Sequence, residues 1–161
     1  MRELVKELDP EIRPVGVFVN VPMELVRTLL DDGTLALAQL HGQEDESYIR
    51  ELKTYTDKLI IKAFSIKTAE DIEKALQSPA DYILLDQGGG GTGKTFDWSL
   101  IPEIQRPFFL AGGIGTSNLG QAIREIHPYA VDLSSSVETE KRKDPMKIRQ
   151  VVDLSLIHIS E

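Results

Sequence analysis

Leu4, Val5 and Leu8 share one face of a predicted helix over residues 1–8. Asp9-Pro10 closes it, because the residue before a proline is pushed out of the α region. Val15-Gly16-Val17-Phe18-Val19-Asn20 follows, apolar at successive positions, which predicts a strand buried on both faces. Pro22 then opens a helix with Met23, Val26, Leu29 and Leu30 inward. The alternation continues, with strands predicted over 35–41, 59–64, 82–85, 107–111 and 130–133. Helices are predicted over 44–55, 68–76, 118–126 and 144–152, and a short one over 98–104 is interrupted by Pro102. Thr68 is placed to cap its helix, and Asp71 adds a carboxylate to the first turn.

About six strand–helix units of roughly 20–25 residues result, and strands apolar on both faces belong to a parallel sheet covered by helices. The class is α/β. Two architectures fit: an open doubly wound sheet, or a (β/α) barrel lacking some units.

Composition narrows the function more than the fold. A length of 161 residues suits one domain with a sizeable core. A formal net charge of −8 argues against a nucleic-acid or anionic-membrane partner. No apolar run approaches the ~20 residues of a membrane span, and nothing resembles a signal peptide, so a cytoplasmic protein is expected. With no cysteine there is no thiolate chemistry, and His41, His127 and His158 lack ligand-like spacing, so no metal is expected.

Polar or small residues gather at the predicted C-terminal strand ends: Asn20, Gln39 with His41, Lys62, Asp86, Gly112-Gly113, and Asp132 with Ser134, Ser135 and Ser136. In parallel α/β folds ligands bind at that edge. Any one such residue is equally well a strand end meeting water; the set favours a site. Asp86 follows an apolar run and precedes a glycine-rich loop, a setting that suits a general acid, with a salt bridge to Lys62 as the bland reading. Gly112-Gly113 and the three serines, on successive strands, supply N–H and hydroxyl donors for a phosphate. From Gly88 to Thr95 the chain also matches the nucleotide-binding pattern G-x-x-x-x-G-K-[ST]. That pattern needs a helix after the loop, and here Pro102 follows too soon.

These stretches resemble phosphoribosylanthranilate isomerase, a (β/α)8-barrel (TIM barrel) enzyme of tryptophan biosynthesis. The matching segments are Val15 through Asn20, Gln39-Leu40-His41-Gly42, Leu84-Leu85-Asp86, Gly93-Lys94-Thr95-Phe96-Asp97-Trp98, Leu110 through Ile114, and Ala130 through Ser135. They stand in the family's order. The resemblance implies an incomplete barrel over residues 1–152, about six of eight units, with residues 153–161 an atypical tail that alternates like a strand. It implies a cofactor-free Amadori rearrangement of N-(5-phosphoribosyl)anthranilate, with a phosphorylated small molecule as partner and room for fusion to, or association with, other enzymes of the pathway. Asp86 takes the general-acid position. Gly112, Gly113, Ser134 and Ser135 take the phosphate loops, Asp132 an active-site aspartate position, and Gln39 and His41 polar positions lining the mouth.

Three departures accompany it. The family's base is a cysteine on its first strand, and this chain has neither, so the resemblance implies a start inside the family's second helix and a fragment inactive alone. A substrate-contacting arginine would be lost with those strands. Ser136 stands where the family usually has glycine, which implies a stiffer phosphate loop. The remaining alternatives are a P-loop nucleotide-binding protein and a non-catalytic phosphate-binding barrel module.

Overall fold

The structure, a computed structural model, describes residues 2–87 and 97–159. The nucleotide-binding match, with Gly88, Gly93, Lys94 and Thr95, lies outside the described residues. Helices and strands alternate in chain order: α1 (Arg2–Lys6), β1 (Val15–Phe18), α2 (Met23–Asp31), β2 (Leu37–Leu40), α3 (Glu46–Tyr55), β3 (Leu59–Ser65), α4 (Ala69–Leu76), β4 (Tyr82–Asp86), β5 (Phe108–Leu110), α5 (Leu119–Ile126) and β6 (Ala130–Val131). A two-stranded hairpin, β7 (Glu138–Thr139) and β8 (Arg142–Lys143), precedes α6 (Pro145–Ile159).

The six strands join in one sheet in the order of the sequence. A doubly wound sheet reverses its strand order at a switch point, whereas a (β/α) barrel adds each strand beside the last. The order therefore selects the barrel type of α/β fold. The pairings of β1 with β2, β2 with β3, and β5 with β6 are parallel.

The chain divides into two units, one of Met1–Ala63 with Gln77–Ile83, the other of Phe64–Leu76 with Leu84–Glu161. In the first, Phe18, Ala38, Leu40 and Ile60 pack with Val26 and Leu30 of α2 and Ile49 and Leu52 of α3. Alternate residues of a strand point to opposite faces. Val17 and Gln39, paired in register with each other and with Ile61, thus occupy the other face. Asp45 caps α3 by accepting from the N–H of Tyr48 at 2.9 Å. In the second unit, Leu119 and Ala122 of α5 and Val151 of α6 are buried.

Several expectations are corrected. The first strand is buried on one face only: Gly16 and Phe18 are covered, while Val15 and Val17 are exposed. Its composition recorded apolarity, which is not the same as a neighbour on each side. The Thr68 side chain does not accept at the start of α4; the Asp71 carboxylate does, taking N–H bonds from Lys67 and Thr68 at 3.0 Å each and the Thr68 hydroxyl at 3.1 Å. The helix expected over 98–104 is a single 3-10 turn, Trp98–Leu100, capped by Asp97. Residues 153–159 continue α6, so the alternation read there as strand-like lies on a helix.

Candidate functional site

Asp86 ends β4, after Ile83, Leu84 and Leu85, all fully buried. Its carbonyl accepts from the Ile66 N–H at 2.7 Å, and the Leu85 carbonyl accepts from Ala111 at 2.8 Å. The strand end is therefore held from both sides, and the carboxylate leaves from a fixed point. Gly112 lies against it. A Cβ at that position would stand 2.6 Å from Asp86 Oδ1 and 2.8 Å from the Gln87 nitrogen, and the backbone there has φ of +82°. Only glycine meets both demands, since any other residue is strained at positive φ and would displace the carboxylate.

Gly113 also has positive φ (69°). Asn118 braces this loop, accepting from the Gly115 N–H at 2.9 Å and donating through Nδ2 to the Gly113 carbonyl at 3.0 Å. The sequence marks Asn118 only as a helix start; an Asn a few residues past a glycine pair is the signal for its second role. Gly115 in turn lets the serine loop approach, because a Cβ there would sit 3.0 Å from Ser136 Cβ. The Ser136 hydroxyl is buried with no hydrogen-bond partner. Ser134 and Ser135 are exposed, and Asp132, half-buried, extends the β5–β6 ladder by donating its N–H to Leu110 at 2.9 Å. Lys143 Nζ donates to the Ser134 carbonyl at 3.0 Å and pairs with Glu138 at 2.8 Å. The structure thus assembles Asp86 with Gly112, and the Gly113–Gly115 turn with Ser136, within the second unit.

Gln39 and His41 belong to the first unit, at the end of β2. Gln39 is buried, and its Nε2 lies 3.2 Å from His41 Nδ1. Beside them stands a buried ion pair of which the strand-end pattern marks only Lys62, Glu44 standing at the start of the helix predicted over 44–55. Lys62 Nζ lies 3.3 Å from Glu44 Oε2 and donates to the carbonyls of Gly42 (2.7 Å) and Leu40 (3.3 Å). Glu44 accepts from the N–H groups of Asn20 (2.6 Å) and Gly42 (2.9 Å). Burial pushes the Lys62 ammonium below its ordinary pKa, and the Glu44 charge only partly offsets this. Burial pushes Glu44 up. Its own N–H, that of Asn20 and the Lys62 charge outweigh that and hold it below its ordinary value. Lys62 therefore serves Glu44 and two carbonyls.

Among the described residues, no group of three or more His, Asp or Glu side chains is gathered as a metal site requires. No described helix is long and apolar enough to cross a membrane.

Comparison with known proteins gives this geometry its context. The family profile described as N-(5'phosphoribosyl)anthranilate (PRA) isomerase matches residues 1–154. N-(5'-phosphoribosyl)anthranilate isomerase of Endomicrobium trichonymphae is 44% identical over 151 residues, covering 91% of this chain and 74% of that protein. The Bacillus cereus (strain B4264) protein of the same name is 39% identical over 159 residues, covering 94% and 76%. Among solved structures, phosphoribosyl anthranilate isomerase from Thermotoga maritima superposes with a TM-score of 0.83 at 36% identity, over 96% of this chain and 78% of that one. A phosphoribosyl anthranilate isomerase in complex with reduced 1-(o-carboxyphenylamino)-1-deoxyribulose 5-phosphate gives 0.81 at 34% identity, over 96% and 77%. The profile match spans residues 88–96 as well, so the stretch with the Gly-Lys-Thr spelling lies inside the matched family region. Strand order, strand-end chemistry and sequence identity agree, and the chain belongs to the N-(5'-phosphoribosyl)anthranilate isomerase family.

Proposed function

We propose that this chain carries the acid and the phosphate-holding loops of a phosphoribosylanthranilate isomerase of tryptophan biosynthesis, working in the cytoplasm beside other enzymes of that pathway. The observation that supports it most is the Asp86 carboxylate set against the Gly112 backbone at the end of a fully buried strand. In the rearrangement, the Asp86 carboxyl proton goes to the furanose ring oxygen, the C1–O bond breaks, and the anthranilate nitrogen lone pair forms the Schiff base. A base then removes the C2 proton to give the enolamine, which takes up a proton at C1 while its 2-hydroxyl gives up its own and becomes the ketone oxygen. Phosphate binding falls to Gly112, Gly113, Ser134 and Ser135, with the N–H groups of glycines uncovered by side chains. Asp132, Gln39 and His41 contact the remainder of the substrate.

The family's base position is a cysteine, and these 161 residues contain none. Supplied alone, they are expected to bind the substrate and not to complete the proton transfer. Loss of anthranilate-type fluorescence follows the reaction. With a cysteine base supplied in the assayed protein, Asp86→Asn is expected to cut turnover by about 10²–10⁴-fold, the usual contribution of a positioned acid. Undiminished turnover in that variant would remove Asp86 from the mechanism.

A further inference from the structure

The turn that carries His41 is fixed through the backbone groups of Leu40, His41, Gly42 and Gln43. The His41 N–H donates to the Phe18 carbonyl at 2.7 Å. On either side, the carbonyls of Leu40 and Gly42 accept from one ammonium, that of Lys62. The Gly42 N–H goes to Glu44, and the Gln43 N–H to Asn20 Oδ1 at 2.6 Å. Asn20 holds the left-handed conformation (φ 53°) while its own N–H goes to the other Glu44 oxygen. A Cβ at residue 42 would collide with the Asn20 side chain and backbone.

Lys62 thus spends its three N–H donors on Leu40, Gly42 and Glu44. That leaves the amine no proton or lone pair for chemistry of its own. A buried charge pair is an expensive way to brace a turn that neutral groups of the same shape would also fill. What the pair adds is alignment: it draws the carbonyls of Leu40 and Gly42 toward one point and so fixes the direction in which His41, the residue between them, leaves the chain. Gln39 completes the arrangement at the ring, its amide nitrogen 3.2 Å from His41 Nδ1; with that amide as donor, Nδ1 accepts and the ring proton is carried on Nε2.

We propose that Lys62, together with Glu44, is a positioning residue: it fixes the turn that carries His41 and acts on the bound ligand only through that imidazole. This rests on the assignment of His41 to the substrate site given above.

Nitrogen-15 NMR of the 161-residue chain tests it, because the sequence holds only three histidines. In the wild type the Lys62 ammonium should give a protected, slowly exchanging N–H signal near neutral pH, and His41 the pattern of an Nε2–H tautomer. An ammonium that exchanges as freely as a surface lysine overturns the clamp, whatever any variant does. Lys62→Met/Glu44→Gln removes both charges together, so that none is stranded. In it, the His41 ring signals should move toward the tautomer mixture of a solvated imidazole while those of His127 stay in place. Affinity for reduced 1-(o-carboxyphenylamino)-1-deoxyribulose 5-phosphate should fall by about tenfold, the scale of one misaligned charge-assisted hydrogen bond. Unchanged ring signals, or moved signals with unchanged affinity, sink the role given to Lys62. A wild-type chain that binds no analogue sinks the site assignment instead, and the two failures are thereby distinct.

Discussion

Glu44 and Lys62 show how a few buried atoms make stability depend on pH. The folded state holds the Glu44 carboxyl below its ordinary value of 4.5. Between the folded and unfolded values, the unfolded chain binds the proton more readily. Stability from this group is therefore complete above pH 4.5 and is lost as pH falls through the folded value. Several other aspartates, among them Asp71 and Asp144, are shifted in the same direction by hydrogen bonds, so the wild-type slope alone does not isolate Glu44. Comparison with Glu44→Gln does. At pH 7 that variant strands the buried Lys62 charge and should lose up to about 3–5 kcal/mol, the usual cost of breaking such a pair. As pH falls through the folded value the wild-type carboxyl is itself neutralised, so the gap in urea midpoint between the two proteins should narrow. A gap independent of pH would mean that Glu44 is not ionised in the folded protein.

At the scale of elements, the hairpin between β7 and β8 is the part of the fold that the sequence hid most thoroughly. Two-residue hairpin turns favour Asn-Gly or Asp-Gly because both central residues need positive φ. Here Glu140 and Lys141 occupy them, at φ of 51° and 62°. Their side chains are suited to a helix and give no turn signal, and the flanking strands are two residues each. Tertiary ties hold the turn instead: Lys143 reaches the Ser134 carbonyl, Lys147 reaches that of Glu138 at 2.6 Å, and Thr139 donates to Asp144 at 2.7 Å. Replacing the pair by Asn-Gly (Glu140→Asn/Lys141→Gly) should therefore stabilise the protein by about 1 kcal/mol, through relief of the left-handed strain. Thermal melting reads this as a rise in Tm; a fall would show that the exposed side chains contribute more than the strain costs. The longer elements were legible for the opposite reason. Glycine, proline and cap residues bounded them, and α2 and α3 carry their buried residues at helical spacing. Asp71 was read correctly as a first-turn carboxylate, whereas the direction of its bond with Thr68 depends on a rotamer that sequence does not encode.

For the molecule as a whole, the sequence disclosed the order of the units and the chemistry at the strand ends, because both are local. Asp86 was legible as an apolar run ending in a carboxylate. The contact that gives Asp86 its setting, Gly112, is 26 residues further on and was legible only as a glycine pair. Burial was the quantity composition could not supply, and β1 is the clearest case. It stands at one end of the strand order, with β2 its partner. Along it Val15 and Val17 are 41% and 60% exposed, and beyond its two ends Ile12 is 53% and Val19 58% exposed. An edge strand offers unpaired N–H and C=O groups, and a row of valines adds an apolar face; together they make a template for association. The 161-residue chain is expected to associate through this strand in a concentration-dependent way. Val17→Lys places a charge on a side chain that is already mostly in water. It should change stability by no more than about 0.5 kcal/mol, yet like charges brought together across a shared edge would oppose pairing. Sedimentation velocity over a range of concentrations decides the matter. The wild type should show a growing heavier species that Val17→Lys abolishes, while a wild type that stays monomeric, or a variant that associates equally, would place the contact elsewhere.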